Sequence, residues 1–167
     1  MKKGITLTFI LLCAGFSFAQ QTTDPAEGFW LTVDNKGIPL SGWEIYQNNG
    51  LLYGKMLSAV GCTASDIAVR CKDSYRDFPI RGKVNEMPIL GIPWIFGLQC
   101  EEAGRWKNGF VIDPSNGNIY RCGSTYHPAD GKRNQTETLE IHGEIGLGIG
   151  GSQIWQRTTR EQAGALR

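Results

Sequence analysis

Two short segments at opposite ends of the chain constrain its fold most. They are Gly28-Phe29-Trp30, which opens the first strand-like run, and Ser152-Gln153-Ile154-Trp155-Gln156-Arg157, which lies within the last. A closed antiparallel barrel sets its first and last strands side by side, so Trp30 on one and Arg157 on the other are expected to stack and plug one end. Arg157 follows Trp155 by two residues and therefore shares its strand face. Gly28, Trp30 and Arg157 are read as the residues that close the barrel.

Between these segments the chain reads as strand throughout. Gly and Pro recur often enough that no window of about twelve residues keeps a helical period without a breaker. Candidate strands are Gly28–Val33, Gly42–Gln47, Leu51–Ser58, Ile92–Gln99, Arg105–Asp113, Asn118–Tyr126, Thr136–Gly143 and Ser152–Thr158, and eight is a number that small closed barrels use. Asn48-Asn49-Gly50 and Asp113-Pro114-Ser115-Asn116-Gly117 each separate two apolar runs. Both are hairpin signals, because Asn and Gly tolerate positive φ. The expected fold is thus all-β, a single up-and-down antiparallel barrel of about eight strands. Alternation turns Trp106, Phe110 and Ile112 inward on one strand, Trp94, Phe96 and Leu98 on another, and Leu139 and Ile141 on a third. Thr138, Glu140 and His142 then face water. The stretch from Ala59 to Asn85 is the one long irregular connection, expected as a disulfide-pinned loop forming a lid over the barrel mouth.

The N-terminus reads as an export signal. Met1-Lys2-Lys3 is basic, Ile5 to Phe16 is largely apolar, and Ser17-Phe18-Ala19 supplies small residues where a signal peptidase cuts, so residues 1–19 are expected to be removed. The apolar run is shorter than the roughly 20 residues of a membrane span, and no later segment approaches one. Residues 20–167 suit one domain, burying about 70% of the surface that the unfolded chain would expose. The full chain carries 17 basic and 16 acidic residues; without Lys2 and Lys3 the balance is about −1. No basic stripe follows a phosphate backbone, and nucleic acid is not expected as a partner. The mature chain is expected in the periplasm or secreted, with no transmembrane segment.

With Cys13 removed, Cys62, Cys71, Cys100 and Cys122 remain, an even number that reads as two disulfides in an exported chain. Four cysteines permit three connectivities. Closing the short stretch between Cys62 and Cys71 is the simplest assignment, which pairs Cys100 with Cys122 by elimination. A metal site is the competing reading, but there are no close Cys-x-x-Cys pairs and both histidines are remote in sequence, so no metal or cofactor is expected.

The Gly-x-Trp on the first strand and the arginine near the end of the last resemble the structural signature of lipocalins. The mature chain as a whole is similar to a more specific family, the exported bacterial family numbered 2147 among domains of unknown function. The resemblance rests on Asp24-Pro25, Gly28-Phe29-Trp30, Pro88-Ile89-Leu90-Gly91-Ile92, Trp106-Lys107-Asn108-Gly109, Ile112 to Tyr120, Leu139-Glu140-Ile141-His142-Gly143 and Gly151 to Arg157. It implies an exported lipocalin-like barrel and carries over no activity. The Cys62–Cys71 stretch departs from the family's usual pattern.

No catalytic grouping emerges, and the chain is not expected to be an enzyme. His127 precedes Pro128 in a loop and His142 faces outward, neither with a nucleophile and an orienting acid in its own motif. Asp113 before Pro114 is turn chemistry, Ser124 and Ser152 lack a strained elbow, and no helix follows the Gly146–Gly151 run to hold an anion. Asn134-Gln135-Thr136 reads as a polar loop. Two functions are left. In the first, the barrel binds a small apolar ligand, with Trp94, Phe96, Trp106, Phe110, Ile141 and Trp155 as lining, or packs those side chains into a solid core. In the second, it is an interaction module for an envelope protein or a membrane surface, docking through exposed Ile89, Leu90, Ile92, Leu147 and Ile149.

Overall fold

The computed structural model describes residues 23–132, 134–145 and 149–167. The expected signal segment and Leu147 lie outside them, as does the side chain of Ile149. Eight strands run β1 (Gly28–Val33), β2 (Pro39–Asn48), β3 (Leu51–Ala59), β4 (Pro93–Glu102), β5 (Arg105–Asp113), β6 (Asn118–His127), β7 (Thr138–Ile145) and β8 (Ile149–Thr158), followed by a short helix, α1 (Arg160–Ala163). Each strand pairs antiparallel with the next and β8 returns to β1, closing the barrel in sequence order. Closure leaves no strand edge unpaired. At the seam Trp30 lies opposite Arg157 and Thr32 opposite Trp155.

The hairpins form where turn chemistry puts them. Asn49 and Gly50 both take positive φ between β2 and β3, as a tight two-residue connection requires. Between β5 and β6 the Asp113 carboxylate accepts from Ser115 N–H and Asn116 Nδ2, and Gly117 takes φ +74. Gly117 is required for a further reason: a Cβ there would lie 2.1 Å from the Arg70 carbonyl oxygen, where the long β3–β4 connection crosses this turn.

Two strands present faces opposite to those that simple alternation suggests. Gly97 and Asn108 adopt positive φ, at 71° and 59°, and the register slips between β3 and β4 and between Trp106 and Gly109 in the β5–β6 ladder. One extra residue flips every side chain beyond it. Ile95 and Val111 therefore face the interior, with Trp106, Gly109 and Leu98 on the same surface, where Leu98 fills the space that a Gly109 Cβ would take. Trp94, Phe96 and Phe110 alternate to the outer wall. On β7 alternation holds: Leu139 and Ile141 are buried while Glu140 and His142 are half-exposed.

The β3–β4 connection covers that outer apolar wall and does not act as a lid over the mouth. Phe78 packs on Trp94 and edge-on to Phe96, with ring centroids 6.0 and 5.4 Å apart, and Phe96 stacks across to Phe110 at 5.8 Å. Tyr75 donates its hydroxyl hydrogen to Gly117 O at 2.7 Å, and Ile67 bridges Pro88. Ala68 and Val84 are the connection's own buried anchors. A short 3-10 turn, Val84–Glu86, and α1 are the helical pieces absent from the sequence expectation. In α1, Thr159 caps the helix by accepting from Gln162 N–H, and the helix packs so closely on β2 that a Cβ on Gly42 would strike Ala163 O at 1.8 Å.

Neither expected disulfide exists: Cys62, Cys71, Cys100 and Cys122 are all free thiols. For Cys100 and Cys122 the topology forbids it. They sit on β4 and β6 with β5 between them, two strand spacings or roughly 9.5 Å apart, beyond the ~7 Å Cα reach of a disulfide. Cys62 hydrogen-bonds Thr63 O while Cys71 is buried beside Tyr75, and the loop is held by aromatic packing and backbone bonds in place of a bridge.

Candidate functional site

The barrel has a sealed end and an open one. At the sealed end Arg157 lies over the Trp30 ring at 3.9 Å from the centroid, a cation held on a desolvated indole face. Its Nη1 and Nη2 each donate to a backbone carbonyl, Glu27 O and Pro25 O, at 2.6 Å, and its Nε donates to Glu137 at 2.7 Å. Gly28 has no alternative here, because its φ is +128° and a Cβ would meet Arg157 Nη1 at 2.4 Å. The strand-entry segment completes the seal: Asp24 accepts from Trp106 Nε1 and Gly104 N–H, while Trp30 Nε1 donates to Ala26 O. In the sequence Asp24 is marked only by the Asp24-Pro25 pair of the family resemblance, and its place at the barrel base, bound to partners some 80 residues away, is added by the structure. The hydrogen bond from Arg157, followed by that from Tyr126, holds the Glu137 carboxyl below its ordinary value.

Directly above the plug, Trp43 pairs in register with Trp30 and stacks on Trp155, with centroids 5.0 Å apart. These two indoles floor an open cavity of about 1230 Å³. Their N–H groups are already satisfied, Trp43 Nε1 donating to Ser41 Oγ at 2.7 Å and Trp155 Nε1 to Gln153 Oε1 at 3.3 Å. Thr32 and Ser41 hydroxyls bond to one another beside them. Met56, Ile95, Val111, Tyr120 and Ile141 form the walls, and the mouth lies between the β1–β2 turn at Asp34 and Asn35 and the β5–β6 turn at Asp113, Pro114 and Ser115.

Of the six residues expected to line a ligand space, Ile141 and Trp155 do so. Trp94, Phe96 and Phe110 lie on the outer wall beneath the long loop, and Trp106 is buried at the sealed end, bound to Asp24. Trp43 was missed, although Trp43 and Ile45 alternate with Glu44 as an inward-facing pair should. The apolar residues proposed for docking are also placed differently: Ile92 is buried, and Ile89 and Leu90 pack against the core.

His127 and His142 meet on the outer face of β6 and β7. His127 Nε2 lies 3.0 Å from one Glu140 oxygen and His142 Nδ1 lies 3.5 Å from the other, with Thr125 Oγ1 3.2 Å from His142 Nε2. Hydrogen bonds from Ser152 and then His127 hold the Glu140 carboxyl below its ordinary value. The group lies on the wall and away from the cavity, and among the described residues no such trio is arranged to hold a metal ion. Burial pushes the Cys122 thiol up to about 12 and raises Cys62 and Cys71 as well, which leaves them poor nucleophiles at neutral pH.

A closed eight-stranded antiparallel barrel, plugged at one end by an arginine on a tryptophan and open at the other, defines a lipocalin-like protein. Its structure is similar to that of protein HP1028 from Helicobacter pylori, described as belonging to the lipocalin family, with a TM-score of 0.57, 20% identity, and coverage of 82% of this chain and 85% of that one. The chain belongs to the family described as "Uncharacterized protein conserved in bacteria (DUF2147)", whose profile matches residues 28–157. A comparison with curated proteins finds no match.

Proposed function

We propose that this chain is an exported carrier that holds one small apolar ligand in the open end of its barrel. The observation that carries the reading is the cavity itself, floored by the Trp43–Trp155 pair and walled mostly by apolar side chains. Binding pockets are of this kind, mostly apolar and concave with a few placed polar groups. The basic, apolar and small-residue succession of residues 1–19 supports export to the periplasm or beyond. A binding role is favoured over catalysis because His127 and His142 are tied to Glu140 outside the cavity, while Asp113 is occupied by its own turn. Dodecanol titrated into the purified mature chain should quench the fluorescence of the two floor indoles and saturate at one equivalent. Val111→Trp, which fills the cavity from its wall, should abolish that response; an unresponsive native chain would overturn the reading.

A second reading keeps the interaction module but moves it to other residues. Ile38, Leu40 and Val60 are each about half exposed near the mouth, with Val60 N–H bonded to Leu40 O, and they supply an apolar rim that a partner would cover.

A further inference from the structure

We infer that the cavity selects amphiphiles with a cationic head and discriminates against fatty-acid carboxylates. This rests on the carrier reading and adds the chemistry of the ligand. Among the described residues that line the cavity, the charged side chains are Asp34 and Asp113, and no Lys, Arg or His accompanies them. Asp34 follows β1 and Asp113 ends β5. In a closed barrel of eight strands in sequence order these two strands are diametrically opposed, so the carboxylates flank the mouth from both sides. Each is oriented by its turn: Asp34 accepts from the N–H groups of Lys36 and Ile38, and Asp113 from Ser115 N–H on one oxygen and Asn116 Nδ2 on the other.

An apolar tail has one place to go, down the walls to the indole floor, which leaves its head between the two carboxylates. A cation there is attracted by both, and an anion is repelled by both with no counter-charge among the lining residues. The inverted orientation does not rescue an anion. The Trp43 and Trp155 N–H groups are spent on Ser41 and Gln153, so the floor offers a carboxylate no free indole donor, whereas indole faces attract cations.

The test uses the purified mature chain and three ligands with the same tail, titrated by calorimetry: dodecyltrimethylammonium and dodecanoate below their critical micelle concentrations, and dodecanol below its solubility limit. The cation should bind about tenfold or more tightly than the carboxylate. Raising the salt should shrink that ratio, because charges at an open mouth are screened. In the double variant Asp34→Asn, Asp113→Asn each side-chain carbonyl still accepts the backbone N–H bonds of its turn, from Lys36 and Ile38 and from Ser115, and only the Asn116 Nδ2 bond to the second Asp113 oxygen is lost. The ratio should fall to within about twofold. A carboxylate that binds the native chain as tightly as the cation, or a preference that the double variant leaves intact, would overturn the inference while dodecanol binding still upheld the carrier. If none of the three binds, the carrier reading falls and the inference with it.

Discussion

Arg157 satisfies its guanidinium through two backbone carbonyls, one carboxylate and one indole face, which makes it worth more than a surface cation. Arg157→Ala should remove the cation–π contact and leave the carbonyls of Pro25 and Glu27 without their donors, lowering stability by about 2–4 kcal/mol. Arg157→Lys should recover little of this, since an ammonium cannot reach three acceptors in the planar fork. Urea unfolding of both variants measures it, and a Lys variant as stable as the native chain would contradict the geometry. Glu137 adds a pH dependence at the same site. Its carboxyl titrates below the ordinary value of 4.5, so the native state binds fewer protons than the unfolded state in acid. The pair's contribution is therefore complete above that value and is lost as the pH falls through the lowered native one. Between neutral pH and about pH 3 the native chain should lose more stability than Glu137→Gln, which has no such proton to gain.

At the scale of elements, the β3–β4 connection behaves as an outer strap. Its hold on the barrel is Phe78 against Trp94 and Phe96, together with Tyr75 over the β5–β6 turn. Phe78→Ala should cost about 2 kcal/mol through lost aromatic packing. Amide hydrogens of residues 60–92 should then exchange faster, while dodecanol affinity stays unchanged because the strap is not part of the cavity wall. A loss of affinity in this variant would return the loop to the role of a lid. The strap also shows why it was misread. Trp94, Phe96 and Phe110 are as apolar as any core residue, and alternation counts a buried face without saying which layer buries it.

For the whole molecule, the base and the cavity form one column. Arg157 lies on Trp30, Trp30 pairs with Trp43, and Trp43 stacks on Trp155 at the cavity floor. Closing one end thus builds the floor of the other, and damage at Arg157 should be felt by the ligand as well as by the fold. The four free thiols belong to this scale too, because strand order places Cys100 and Cys122 on either side of β5. Thiol titration of the never-reduced chain, unfolded in denaturant, should count Cys62, Cys71, Cys100 and Cys122 all as reactive, and a reductant should leave the unfolding midpoint where it was. A count of two or none would mean that one or two disulfides form after all.

The sequence alone determined what depends on near neighbours along the chain. Strand runs, the Asn-Gly hairpins, the inward Leu139 and Ile141, and the closing partnership of Trp30 with Arg157 were all legible, because alternation, turn φ values and a cation facing an indole are local or are pinned by closure. The tertiary structure alone decided the inner and outer faces of β4 and β5, the place of the long loop, the separation of the cysteines and the existence of a cavity. The physical reason is register. Single extra residues near Gly97 and Asn108 reverse the faces of Trp94, Phe96 and Phe110, and such a slip is set by the strands alongside and not by the strand's own pattern. With those aromatics turned outward, the interior holds smaller side chains at its open end, and the space they leave is the site.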